Sequence, residues 1–325
     1  MLRDRTRRLL ACPVDRHPLI ANGPSLECSE GHRYPVIEGI PILLREDVDQ
    51  THWAAELALL AAKAGQALDD WAEPQPMDRV HRFVQEAIGG TGGNMYRPLI
   101  GRLTTYPVPD FPMETTTGET LLDIGCNWGR WSIAAARRGF HVIGIDPSLE
   151  ALIPARHVCR QLGVEADFIV GDARHLPIGT GALDAAFSYS VIQHFSKDDA
   201  RLTAAEIGRV LRPRGRALVQ MPNSCGLRNI IQQARRRFRT PQAFEVRYWT
   251  PGELRRTFAR AIGPARLSVD GFFSLNAQPA EAALLPARYR ALVRVSSALT
   301  RLSRVVPPLL MVADSLYVAA ERQGS

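Results

Sequence analysis

The chain predicts an α/β fold built on a doubly wound, mostly parallel sheet, with a small β-rich module before it and helical insertions within it. Three observations carry this expectation. From Glu119 onward, short apolar runs alternate with segments of helical periodicity, the pattern of a parallel sheet covered by helices on both faces. The first run leads into a glycine-containing turn, LLDIGCNWGRW at 121–131. The second and third runs end in Asp146 and Asp172, at the edge where such sheets bind ligands.

In chain order, residues 1–46 mix Cys, His, Gly and Pro with the β-like runs RYPVI and IPILL. They read as a module too small for a strong core of its own. Residues 47–117 read as a helical linker and substrate lid. There HWAAELALLAAKAGQALDDWA (52–72) and DRVHRFVQEAI (78–88) space apolar residues three and four apart, which predicts helices. GGTGGN (89–94) and YPVPDFP (106–112) predict loops. Residues 118–325 form the main domain. TLLDIG (120–125), HVIGID (141–146), ADFIVGD (166–172), LDAAFSYS (183–190) and RALVQM (216–221) predict strands, with helices near 130–138, 149–162 and 198–211. A basic insertion at 224–248 follows, then a helix opened by TPGEL (250–254) and a strand candidate RLSVDGFFSL (266–275). A helical insertion at 281–304 and a last strand candidate, DSLYVAA (314–320), complete the chain.

Composition narrows the function classes. The run VVPPLLMVA has nine residues, well short of the roughly 20 a membrane-spanning helix needs. The basic N-terminal stretch meets Pro13 and Asp15 too early for a secretory leader, so a cytoplasmic protein is expected. Five scattered cysteines do not suggest a disulfide framework. Residues 1–200 carry 19 Lys and Arg against 26 Asp and Glu, and residues 201–325 carry 21 against 7, for net charges of −7 and +14. A basic C-terminal third suits nucleic acid, anionic lipid or a phosphorylated substrate. Because 38 of the 40 basic residues are arginine, the excess reads equally as codon bias of a GC-rich genome.

In the turn, Gly125 permits a tight reversal and Gly129 lets the next helix start close to a ligand. Asn127 stands between them, and Asn is among the residues that most readily visit positive φ after glycine. A plain strand-to-helix turn is the competing reading. Asp146, 21 residues after Gly125, is placed to accept hydrogen bonds from ribose hydroxyls. In this order, and followed by FSYSVIQHF (187–195) and EIGRVLRPRGRALVQM (206–221), these residues resemble the class I S-adenosylmethionine-dependent methyltransferases over about 118–221. The loop lacks the G-x-G-x-x-G of a dinucleotide site, and PRG at 213–215 departs from that family's Pro-Gly-Gly turn.

The resemblance implies a Rossmann-like, seven-stranded sheet closed by an antiparallel pair, and S-adenosylmethionine as cofactor. It implies that Asp123, Gly125, Asn127 and Gly129 surround the amino-acid half of the cofactor and that Asp146 takes the ribose. Asp172 and the backbone of Ala173 would read the adenine, with Ser188 completing the cofactor site. Tyr189, Ser190 and Gln193 are candidates for the acceptor pocket. A sulfonium methyl is already electrophilic, so the protein must mainly align a nucleophile and exclude water. His194, just past the fourth strand, is the candidate base; the alternative is a histidine that packs or caps a helix. Cys126 has no identifiable activating partner.

The N-terminal segment holds CPVD and CSEGH, a C-x2-D and a C-x3-H pair formed by Cys12, Asp15, Cys28 and His32. Paired knuckles of this kind hold tetrahedral zinc, although structural sites prefer Cys and His to Asp. The segment resembles the zinc-ribbon-like domains related to methyltransferase-activating proteins, many of which keep the fold without metal. Zinc binding and a metal-free ribbon, with Cys12 and Cys28 as small buried hydrophobes, both remain open.

Two basic segments complete the reading. QQARRRFRTPQAFEVRYW (232–249) joins arginines to aromatics, which suits phosphates and bases or a solvated face of a lid. ARYRALVRVSSALTRLSR (287–304) is amphipathic and basic, a cap over the active site or a helix lying on anionic lipid. Three functions follow: methylation of a small molecule, lipid-linked or a saccharide precursor; methylation of RNA; and a non-catalytic cofactor-binding scaffold. The intact aspartates and glycines argue against the third.

Overall fold

The computed structural model describes residues 2–68, 70–73, 75–91, 93–115 and 118–324. Asp69 and Gly92, which fall in a predicted helix and a predicted loop, lie outside the described residues. The N-terminal segment holds helix α1 (Asp4–Arg7) and strands β1 (Ile20–Asn22), β2 (Ser25–Glu27), β3 (Arg33–Ile37) and β4 (Ile40–Leu43). Helices α2 (Trp53–Ala64) and α3 (Arg82–Thr91) follow. Helix α2 is shorter than the periodicity predicts because Gly65 ends it in the left-handed conformation, φ 72°. Helix α3 instead runs through Gly89 and Gly90, where the sequence suggested a loop.

The main domain alternates β5 (Thr120–Ile124), α4 (Arg130–Arg137), β6 (His141–Asp146), α5 (Leu149–Gln161), β7 (Ala166–Gly171), β8 (Leu183–Ser188), α6 (Lys197–Val210) and β9 (Leu211–Pro222). All of β5 and β8 is buried, as expected of strands covered on both faces. Ser148 and Ser196 cap α5 and α6 by accepting from backbone N–H groups of the first turn. Beyond the sheet core lie α7 (Leu227–Arg235), α8 (Pro251–Ala261), β10 (Ala265–Gly271), α9 (Ala287–Leu302), α10 (Leu309–Val312) and β11 (Ser315–Glu321). TPGEL forms a full capping box, with Thr250 and Glu253 exchanging bonds and Pro251 in the first turn.

The strand order is β1-β2-β3-β4-β7-β6-β5-β8-β9-β11-β10. The closing pair is antiparallel, β11 lying between β9 and β10. The sheet thus has eleven strands where seven were expected. The difference comes from β4, which pairs in parallel with β7 through Ile42 and Val170 and through Leu43 and Gly171. In a seven-stranded sheet β7 would be an edge with unpaired backbone groups; here the ribbon satisfies them. Leu10, Cys12, Leu19, Leu26, Cys28 and Tyr34 pack in one cluster with Ile143, Ile145 and Ile169 of the main sheet. Arg3 donates to Asp167 at 2.8 Å, a further tie between the segments.

Candidate functional site

The turn between β5 and α4 is built by backbone conformation. Gly125 has φ 75°, and a Cβ there would fall 2.2 Å from Val191 Cγ2. Asn127 has φ 46°, and its Oδ1 accepts from the Trp128 N–H at 2.8 Å. Asp146, at the end of β6, fastens the turn: Oδ2 accepts from the Asn127 N–H at 2.9 Å and Oδ1 from the Ser148 N–H at 3.0 Å. Burial raises its carboxyl to about 6, against the pull of those two N–H groups. Asp172, just after β7, is held by Arg174 through Nη2 at 2.7 Å and Nε at 3.0 Å.

A cavity of about 870 Å³ opens over this edge, within the usual range for small-molecule sites. Gly125, Asn127, Asp146, Asp172 and Ala173 line one side. Tyr189, Ser190, Gln193 and His194 line it beyond β8. The insertions complete it with His52 and Trp53 at the start of α2, Phe83 of α3, Arg97, Arg228 of α7, and Tyr289 and Leu292 of α9. Among the described residues its carboxylates are Asp146, Glu150 and Asp172, all at the ends of β6 and β7 or the start of α5. Arg97 and Arg228 come from the insertions.

Asp123, Gly129 and Ser188 do not line the cavity. Asp123 is buried and accepts from Ser132 Oγ of α4 at 2.6 Å. Burial lifts its carboxyl to about 7; the Ser132 bond opposes this and the nearby Asp146 adds to it. Ser188 Oγ donates to the Ile124 carbonyl at 3.1 Å. At Gly129, φ 82°, a Cβ would press within 3.3 Å of the Phe168 ring. These three residues shape the turn from behind.

The acceptor-side candidates are strongly constrained. The Tyr189 hydroxyl donates to Asp270 Oδ2 at 3.0 Å and receives Gln278 Nε2 at 3.2 Å, which ties it into the β10–β11 hairpin. His194 lies 2.7 Å through Nδ1 from the Phe244 carbonyl and stacks on the Phe244 ring at 4.0 Å. A carbonyl only accepts, so Nδ1 carries the proton and Nε2 keeps its lone pair; Gln193 Nε2 is 3.2 Å from it. Burial lowers His194 to about 4, with the Phe244 bond opposing.

Sequence reasoning missed Arg130 and Glu281. Glu281 lies in the insertion at 281–304, and Arg130 Nε donates to it at 3.0 Å, to the Pro107 carbonyl at 3.2 Å and, through Nη2, to the Asn276 carbonyl at 3.2 Å. Arg130 is 5% and Glu281 2% exposed. One buried guanidinium thus joins the start of α4 to two segments distant in sequence. The partners are 151 residues apart, and no local pattern announces them.

In the ribbon, Cys12 Sγ, Asp15 Oδ2, Cys28 Sγ and His32 Nδ1 all lie within 4.8 Å of one another. Each knuckle turns through a positive-φ residue, Arg16 at 71° and Gly31 at 85°. The donor set of two thiols, an imidazole and a carboxylate is one that zinc accepts.

Residues 121–215 match the methyltransferase domain family. The chain is 29% identical over 153 residues to the tRNA (carboxymethyluridine(34)-5-O)-methyltransferase of Macaca fascicularis, covering 46% of this chain and 21% of that protein. It is 29% identical over 106 residues to the ubiquinone biosynthesis O-methyltransferase of Azorhizobium caulinodans, covering 33% and 41%. Among solved structures it is similar to magnesium protoporphyrin IX methyltransferase from Synechocystis with bound SAH, at 14% identity and TM-score 0.44, over 64% of this chain and 75% of that one. The chain spans about a fifth of the length of the first of these relatives. The match to a methyltransferase domain is confined to residues 121–215.

Proposed function

We propose that the protein transfers a methyl group from S-adenosylmethionine, in line, to a small-molecule acceptor held in the 870 Å³ cavity. The observation that carries this reading is a single cavity with the β5–α4 turn on one side and the chain's own insertions on the others. The cofactor supplies an electrophilic methyl. Asp146, fixed by Asn127 and Ser148, accepts the ribose hydroxyls, and Asp172 with the Ala173 backbone receives the adenine. Phe83, Tyr289 and Leu292 exclude water from the reacting atoms. Arg97 and Arg228, which line the cavity and form no ion pair among the described residues, favour an acceptor bearing a phosphate or carboxylate. As the acceptor's oxygen attacks the methyl carbon, the S–CH3 bond would break and S-adenosylhomocysteine would leave, and His194, neutral and only weakly basic, takes the oxygen's proton through Nε2. Incubating the protein with cell extract and S-adenosylmethionine should yield a low-molecular-weight product heavier by one methylene. Failure of calorimetry to detect S-adenosylmethionine binding would refute the reading.

RNA methylation is the second reading, favoured by the resemblance to tRNA methyltransferases. It requires RNA binding that weakens steeply with salt as counterions are released; a flat response excludes it.

Cofactor affinity should depend on pH through Asp146. In the free protein its carboxyl is raised to about 6, and only the ionised form accepts both ribose hydroxyls. Binding therefore releases a proton at low pH, and affinity falls about tenfold per unit below pH 6. Calorimetry from pH 5 to 8 in buffers of different ionisation enthalpy reads both effects. A constant affinity across that range contradicts the assignment.

We assign zinc to Cys12, Asp15, Cys28 and His32, where it acts structurally. The purified protein should carry about one zinc per chain by elemental analysis. Cys28→Ser should lose it and lower Tm on the order of 10 °C. Metal-free wild type of unchanged Tm rejects the site.

A further inference from the structure

Helix α7 is amphipathic in the inverted sense. Its apolar Leu227, Ile230 and Ile231 are exposed, while its polar Asn229 is buried. Asn229 Nδ2 donates to the Asn223 and Asp314 carbonyls at 2.8 and 2.7 Å, and Gln233 Nε2 donates to the Ser224 carbonyl at 2.9 Å. The polar side is thus the one bolted to the protein. Positions 227, 230, 231 and 234 form one helical stripe, as do 291, 294, 295, 298, 301 and 302 on α9. That α9 stripe is exposed and includes Val295 and Leu302.

The two helices share one side of the molecule. The Arg228 and Asn229 N–H groups donate to Asp314 at 2.8 and 3.2 Å, placing α7 beside α10 and its exposed Met311. Arg228 Nη1 also donates to the Phe273 carbonyl at 2.9 Å, and the neighbouring Phe272 N–H donates to Ser296 of α9 at 3.0 Å. The charge on this side has one sign. Residues 224–244 and 285–313 contain ten arginines and no Asp or Glu. Among the described residues only Arg236 and Arg239 of these ten form ion pairs, both with Glu245.

Exposed apolar side chains rimmed by unpaired arginine mark an interaction surface. A protein core or a second copy would supply carboxylates or apolar area, but residues 224–244 and 285–313 hold no carboxylate that a self-contact could use to offset their arginines. An anionic bilayer supplies both complements, an acyl region for Leu227, Ile231 and Leu302 and headgroup phosphates for the arginines. We propose that the α7–α9–α10 side docks the protein on an anionic lipid surface. No helix among the described residues is long and apolar enough to cross a membrane, so the contact is interfacial. Arg228 of α7 and Tyr289 and Leu292 of α9 also line the cavity, so its rim would lie at the bilayer.

Docking needs no methyl transfer, so it is tested separately from the proposed reaction. The full chain is sedimented with vesicles of phosphatidylcholine alone and of phosphatidylcholine with about 30% phosphatidylglycerol. At least about tenfold more protein should pellet with the anionic vesicles. Leu227→Ser/Ile231→Ser/Leu302→Ser should lose about tenfold of that binding, and Arg294→Glu/Arg301→Glu should lose the preference for anionic lipid. Both variants should bind S-adenosylmethionine as wild type does, which shows that they fold. No sedimentation, equal sedimentation with both vesicles, or variants that pellet like wild type would overturn the proposal. So would a dimer in solution that the apolar variant dissociates while vesicles are not bound.

Discussion

Asp146→Ala is expected to weaken S-adenosylmethionine binding at least a hundredfold while leaving the protein folded. The carboxylate organises the Asn127 and Ser148 N–H groups and, in the proposed complex, accepts two ribose hydroxyls. Hydrogen bonds to a charged acceptor contribute roughly 1.5–3 kcal/mol each, and losing two costs about 3 kcal/mol or more, a factor of a hundred or greater. Stability should change much less. The free protein holds this carboxyl against its ionisation, and alanine removes that burial penalty along with the two backbone bonds. Asp146→Asn, which keeps the shape and one acceptor oxygen, should fall between. Calorimetry gives the affinities and thermal denaturation the stability. A loss of less than fivefold with an unchanged Tm places the ribose elsewhere.

Glu281→Ala is expected to produce a large stability loss. It strands the Arg130 guanidinium, which is 5% exposed, without its counter-charge. Removing one partner of a buried pair typically costs about 3–5 kcal/mol, which in a chain of this size lowers Tm on the order of 10 °C. Because Arg130 also holds the Pro107 and Asn276 carbonyls, the lid segments should loosen together. Acceptor turnover should then fall more than cofactor affinity. Arg130→Met/Glu281→Leu should recover most of the lost stability, since an apolar pair leaves no charge uncompensated. A Tm shift under 2 °C for Glu281→Ala, or a double variant no better than the single, contradicts this account.

The legible parts of the molecule were those with local causes. Strands β5 to β8 announce themselves because burial on both faces demands an apolar run. Thr250, Pro251 and Glu253 announce α8 because a cap is written within four residues. Asn127 was readable because its residue type fits its φ of 46°. What was not legible depends on partners distant in sequence. Asp123 stands where the resemblance puts a cofactor contact; only the packed turn shows that it accepts from Ser132 of the next helix and lies outside the cavity lining. His194 carries the right chemistry in sequence, but its low basicity comes from burial beside Phe244, fifty residues on. The eleven-stranded sheet rests on β4 meeting β7, a backbone contact that leaves no signature in side-chain pattern.

That last contact bears on how the protein can be taken apart. The family match begins at Leu121, and a gene fragment cut there would look like a complete catalytic core. It would present β7 as a bare edge, stripped of Ile42 and Leu43, open to pairing with any other chain. The same cut at residue 215 would remove β10, β11 and residues 216–222 of β9, through which β9 meets β8 and β11, and bare the opposite edge along β8. The smallest piece that keeps both edges covered therefore runs from before β4 to beyond β11, and trimming toward the recognisable domain bares strands prone to aggregation.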